Sequence, residues 1–223
     1  MIAIFLVANG LFMWVLPDGN ILDSGFADME ILFSTAPFIL MFLIPAITMR
    51  SFAEEKKAGT LELIFTKPIT EFEVVFAKFA ACYSLVIVAI IPTFVYYYSV
   101  GTLGNPAFNL DTAGIVGSYL GLIMLSGVFT AIGILASAIS DNQISSFIVA
   151  IFGCYLLYTG FSAIASMEAW SKYADVISQF GISSHYSSIS RGLVDSRDLV
   201  YFFGVIAFAL FGTRLVLESR KWA

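Results

Sequence analysis

His185 is the one histidine of the chain, and it stands in the run Ser183-Ser184-His185-Tyr186-Ser187-Ser188, where a base and several hydroxyls lie close together. A serine hydrolase needs such a pair, but it also needs its serine presented on a sharp turn of GxSxG type, and none accompanies this run. The run therefore reads as part of an amphipathic or re-entrant surface segment, Phe180 to Leu193. Cys82 and Cys154 have no partner at metal-ligand or redox spacing and read as apolar packing residues. A GxxxxGK[ST] phosphate loop is missing, so the chain is not expected to bind ATP. No catalytic residue, metal or cofactor is expected, and nucleic acid is not expected as a partner.

The elements that carry these residues are set by composition. Of 223 residues, 59% are hydrophobic and 12% charged, against about 25% charged in an ordinary soluble domain. Charge-free stretches run from Ile31 to Met49, Phe79 to Leu110, Thr112 to Ser140, Asn142 to Met167 and Leu199 to Thr213. Most reach the roughly 20 residues that a helix needs to cross the hydrocarbon of a bilayer. With the apolar run Met1 to Leu16, this predicts an all-α polytopic membrane protein. Its single domain, residues 1–223, has six spans at about 1–16, 31–49, 79–100, 113–139, 144–165 and 199–217, a charged loop at 50–78 and an outer loop at 166–198.

The first run is short and lacks a basic flank. A signal peptide would need a positive leader and a small-residue cleavage site, so the run reads instead as a span whose beginning is missing, a fuller form being expected to begin some 20 residues upstream. No Asp, Glu, Lys, Arg or His falls in the middle of a predicted span. Ion-coupled carriers usually place such groups there, so the energy source is expected outside the membrane.

Segments 50–78, 140–143 and 214–223 hold eight of the eleven basic residues, while the outer loops hold Lys172, Arg191 and Arg197. The excess of Lys and Arg predicts that both termini and the charged loop are cytoplasmic. Pro37 suits an early helical turn, whereas Pro45 and Pro92 lie deeper and are expected to kink their helices. Gly117 and Gly121 form a small-xxx-small pair, with Gly127 and Gly133 further along. Close packing inside the subunit is favoured for them over a dimer contact. Tyr96, Tyr97 and Tyr98 read as an aromatic belt rather than a ligand-stacking surface.

Residues 54–71, EEKKAGTLELIFTKPITE, interrupt the apolar pattern. Glu54, Glu55, Lys56 and Lys57 continue the second span beyond the bilayer, with cations near the helix end where its dipole prefers them. Gly59 can end that helix in a left-handed cap. Thr60 is an N-cap for a short helix, Leu61 to Thr66, with Glu62 in its first turn. Pro68 ends it. Thr70-Glu71-Phe72-Glu73 is a capping box that opens the next helix, with Thr70 and Glu73 as the reciprocal pair. The result is a rigid finger that presents Leu61, Leu63, Ile64 and Phe65 inside a rim of Glu62 and Lys67, as partner-binding helices do. A helix lying passively on headgroups is the alternative, but it needs neither two stops nor a capping box. Asp195 and Asp198 form an N-cap and first-turn pair for the final helix.

The stretch Phe52-Ala53-Glu54-Glu55-Lys56-Lys57-Ala58-Gly59-Thr60-Leu61-Glu62-Leu63, followed by Thr66-Lys67-Pro68-Ile69-Thr70, Glu73 and Lys78, resembles the first cytoplasmic loop of type-2 ABC transporter permeases. Ser190-Arg191-Gly192-Leu193-Val194-Asp195-Ser196-Arg197-Asp198-Leu199, with Ser51 to Lys56 and Asp23-Ser24-Gly25, resembles the gliding-motility-associated branch of that family. The chain departs from the pattern at its beginning, where the family has a cytoplasmic amphipathic helix and a complete first span. The resemblance implies a non-catalytic permease subunit in a bacterial inner membrane, acting in export and linked to gliding motility. It implies an ABC ATPase subunit as partner, docked on Glu55, Gly59, Thr60, Leu61, Glu62, Leu63, Ile64, Phe65, Thr66 and Pro68, and a second permease subunit, identical or related. A membrane scaffold that recruits a cytoplasmic partner is the other reading, and an ATP-independent channel or carrier a third.

Overall fold

The fold follows from where apolar stretches stay helical and what interrupts them. The structure, a computed structural model, describes residues 2–16, 20–62, 66 and 68–219, with their side chains apart from those at 23, 24 and 169–171. The elements in chain order are α1 (Ile2–Trp14), α2 (Ile21–Ser24), α3 (Glu30–Thr48), α4 (Ala53–Ala58) and α5 (Glu71–Ile90). A 3-10 turn, Ile91–Thr93, leads into α6 (Phe94–Leu103), which is followed by α7 (Thr112–Ile139) and α8 (Gln143–Tyr155). A π-helical segment, Leu156–Gly160, joins α8 to α9 (Phe161–Ala165). The short helices α10 (Ala174–Gln179) and α11 (Ile182–Ser190) precede α12 (Ser196–Ser219). There is no strand among the described residues.

Five stretches are long and apolar enough to cross a membrane: Glu30–Ala58, which joins α3 and α4 through the turns between them, and Glu71–Leu103, Thr112–Ile139, Gln143–Ala165 and Ser196–Ser219. Helix α1 is apolar but has 13 residues, about 20 Å at 1.5 Å per residue, short of the roughly 30 Å of hydrocarbon. On length, therefore, five of the six expected spans are met.

Helix α7 is the hub, packing against α3, α5, α8, α11 and α12. Its glycines allow that crowding. A methyl group on Gly117 would strike the Ile189 carbonyl and come within 2.9 Å of Gly192 Cα. On Gly133 it would strike the Thr48 side chain, with Cβ at 2.9 Å. Both close approaches are made inside the chain, the use expected of this glycine series. Pro92 sits in the 3-10 turn that separates α5 from α6, while Pro37 and Pro45 remain within α3. The tyrosine run divides: Tyr98 is exposed, but the Tyr96 hydroxyl donates to the Leu6 carbonyl at 2.8 Å and ties α6 to α1. Large apolar side chains on α8 and α12, among them Ile144, Phe152, Val200 and Phe208, lie exposed along the bundle. Such a surface is what acyl chains would cover.

Candidate functional site

The charged loop begins at a break. The second span was expected to run on through Lys57, but α3 stops at Thr48 and α4 starts only at Ala53, with turns between. The physical reason lies on α7, 84 and 85 residues further along the chain. The Ser137 hydroxyl accepts the Phe52 and Ala53 amides at 3.0 and 3.1 Å and donates to the Met49 carbonyl at 3.0 Å. One side chain thus supplies the partners that the interrupted backbone lacks.

Two lysines complete the anchorage. Lys78 of α5 donates to the Ser51 carbonyl and, at 2.6 Å, to Glu55 Oε1 of α4. Its ammonium also lies 4.6 Å from the centroid of the Phe52 ring, within cation–π range. Lys56 donates to the Ala138 carbonyl and stands 3.6 Å from the exposed Asp141 carboxylate. The break between α3 and α4 is therefore pinned from α5 and from α7. Burial of Phe52, Leu61, Val74, Val75 and Phe79 beneath it forms a small apolar core of its own.

Further out, Gly59 adopts φ 68°, ψ 12° and closes α4, with the Thr60 amide donating to the Glu55 carbonyl at 3.0 Å. That six-to-one bond is the Schellman stop, which favours glycine at the left-handed residue. The Thr60 hydroxyl donates to the Glu55 carbonyl at 3.4 Å. Leu61 is 2% exposed and packs in the core under the loop. It belongs to the root of the finger, not to the surface presented, because Phe52, Val74 and Val75 enclose it. Glu62, Thr66 and Pro68 are exposed. Leu63, Ile64, Phe65 and Lys67 lie outside the described residues. The return helix opens as expected: Thr70 N–H donates to Glu73 Oε2 at 2.8 Å, and Glu73 N–H to Thr70 Oγ1 at 3.3 Å. This is a complete capping box.

At the other end of the bundle, His185 Nδ1 lies 2.6 Å from Asp198 Oδ1 and Nε2 lies 2.8 Å from the Gln179 carbonyl. The imidazole stacks on Tyr201, with centroids 4.0 Å apart, and the Tyr201 hydroxyl donates to the Phe180 carbonyl at 2.5 Å. The neighbouring hydroxyls are engaged elsewhere: Ser184 donates to the Ser178 and Gly181 carbonyls, and Ser187 to that of Ser184. A nucleophile hydrogen-bonded to the imidazole is thus lacking among the described residues, and the cluster clasps α10, α11 and α12 together. Asp198, expected as a first-turn residue, is also the buried partner of this clasp. Asp195 caps α12, accepting the Arg197 amide at 3.0 Å. That bond holds its carboxyl below the usual carboxylate range.

The Thr70–Glu73 box and the Asp195 cap carry local marks in the sequence, whereas Ser137 does not. A serine near the end of an apolar helix carries no local mark of a long-range partner. Lys78 was visible as part of the loop pattern, without its bonds to Ser51 and Glu55.

An all-helical chain with five apolar helices of spanning length, and a doubly stopped charged loop pinned at one end, defines a polytopic membrane protein. The sequence profile of the family described as ABC-2 family transporter protein matches residues 19–215. The chain belongs to that family, whose members are membrane components of ABC transporters. No curated protein matches it.

Proposed function

We propose that this chain is the non-catalytic permease subunit of an exporter-type ABC transporter, and that its 50–78 loop docks on a separate ATPase subunit. Membership of the ABC-2 family supports the permease role. The observation that carries the docking role is the pinned root of the loop. Ser137 and Lys78 bind the turn before α4, and the loop is stopped by Gly59 on one side and capped by Thr70 and Glu73 on the other. A loop held this way passes a displacement of its tip to α3, α5 and α7 instead of absorbing it. We assign the docking contact to Leu63, Ile64 and Phe65 together with Glu62, Thr66 and Pro68, and a supporting role to Glu55, Gly59, Thr60 and Leu61.

In this reading two permease subunits, identical or related, line the pathway as a single-domain pair in a bacterial inner membrane. Their termini and charged loops face the cytoplasm, where eight of the eleven Lys and Arg residues fall. The likeness of Ser190 to Leu199 to the gliding-motility branch makes that process the setting in which to look for a phenotype.

The test is co-purification of the co-encoded ATPase with Leu63→Asp and Phe65→Asp, with membrane abundance of the permease as the control for folding. A carboxylate forced into a desolvated contact costs several kcal/mol, so both variants should lose the ATPase while still accumulating. Retention of the ATPase by both would remove the docking role.

A further inference from the structure

We infer that the groove at the end of the bundle opposite the charged loop binds a single-chain amphiphile with a cationic headgroup. The groove lies between α3, α7 and α11 and encloses about 670 Å³, within the usual range for small-molecule sites. Its lining combines carboxylates, serines and aromatic rings. Asp28 and Glu30 stand at the start of α3, and Phe33 and Phe38 follow further along the same helix. From Glu30 to Phe38 the helix rises about 12 Å at 1.5 Å per residue, a length suited to an extended alkyl chain. On α7 the lining runs from the capping Asp111 through Ile115, one turn in, to Ser118 beyond it.

The apolar end is shaped by the π-helical segment, which carries Tyr158 edge-on against Phe38 with centroids 5.7 Å apart. The groove is also preset, since the Tyr186 hydroxyl donates to the Phe33 carbonyl at 2.8 Å and holds α11 to α3.

Charge selects the headgroup. The described lining has three carboxylates, Asp28, Glu30 and Asp111, against the single guanidinium of Arg191. Capping fixes two of the carboxylates: Asp28 Oδ1 accepts the Glu30 amide at 2.9 Å, and Asp111 Oδ1 the Gly114 amide at 3.2 Å. Arg191 Nε is engaged by the Ser187 carbonyl of its own helix. A cation is therefore favoured over an anion or a neutral group. No group of three acidic, His or Cys side chains among the described residues is close enough to hold a metal ion. That spread suits a bulky, diffuse cation such as a quaternary ammonium, and the aromatic lining suits the chain attached to it. The inference does not depend on the docking of an ATPase and survives its failure.

The experiment uses the full chain in uncharged sugar-head micelles with a diazirine-bearing dodecyltrimethylammonium probe, and labelled peptides are mapped by mass spectrometry. Labelling should fall on α3 and α11. Unlabelled dodecyltrimethylammonium should displace the probe about fivefold better than dodecyl sulfate or an uncharged dodecyl ether, the scale of one partly exposed charge contact. Glu30→Gln and Glu30→Lys should lower that preference in turn, whereas Phe38→Ala should weaken every competitor. Both residues are exposed, so the variants retain the fold, and equal melting temperatures check this. Equal displacement by all three headgroups, labelling spread along the exposed faces of α8 and α12, or a preference unchanged in Glu30→Lys would each overturn the inference.

Discussion

Lys78 Nζ lies 2.6 Å from Glu55 Oε1, so the helix that leaves the charged loop is bonded to the helix that enters it. Both side chains are about a quarter exposed, at 21% and 27%. Glu55 Oε2 is buried without another hydrogen bond among the described residues, so Lys78 is its charge partner there. Lys78→Met should cost about 1.5–3 kcal/mol, the range for a hydrogen bond to a charged group. Adding Glu55→Gln should recover part of that loss, since the two residues share one interaction. Thermal unfolding of the four proteins in micelles checks the pair, and strict additivity would show that it is not coupled.

Ser137→Ala should destabilise more than its size implies. It removes one hydroxyl but leaves the Phe52 and Ala53 amides without an acceptor, at about 1–3 kcal/mol for each buried group left unpaired. Ser137→Thr keeps the oxygen and should restore part of the loss. Limited proteolysis is the sensitive readout, because the break between α3 and α4 should become the first site cut in the alanine variant.

Two glycines give a matched comparison on the small-residue surface. Gly117→Ala drives a methyl into the Ile189 carbonyl and Gly192, which are backbone and cannot swing aside, whereas nothing lies within 4 Å of a methyl at Gly204. Gly204→Ala should be neutral or stabilising by up to about 1 kcal/mol through helix propensity. Gly117→Ala should be destabilising. A melting temperature lowered by Gly117→Ala but not by Gly204→Ala confirms the close approach of α7 to the α11 end.

The cap on α12 carries a pH dependence. The Asp195 carboxyl is lowered first by the Arg197 amide it accepts. Its contribution is present above the ordinary carboxylate value of about 3.9 and is lost as pH falls through the lower folded value. Asp195→Ala should therefore melt below the parent at pH 7, and the gap should narrow at pH 3. A gap independent of pH would mean that the charge of the cap contributes nothing.

Much of this molecule is legible along the chain. Apolar stretches of bilayer length dictate helices because every backbone group must find a partner inside its own segment once water is removed. The stops are equally local. Gly59 takes the left-handed conformation that ends α4, Thr70 and Glu73 satisfy each other's amides, and Pro92 breaks α5 from α6, each within a few residues of its partner. Such signals survive in sequence because the physics that uses them spans a turn or two.

Tertiary structure decided what distant residues do to one another. Leu61 looks like a presented residue in sequence, but a fold that brings Phe52, Val74 and Val75 around it makes it core. Asp198 looks like a helix-start acid and is also the partner of His185, 13 residues earlier. The interruption of the second span after Thr48 is sustained from a distance, by the hydroxyl of Ser137 on another helix. Periodicity fixes which residues are helical and apolar. Which helices touch, and at what height, depends on steric fits such as Gly133 against Thr48, and these exist only when both surfaces are in place.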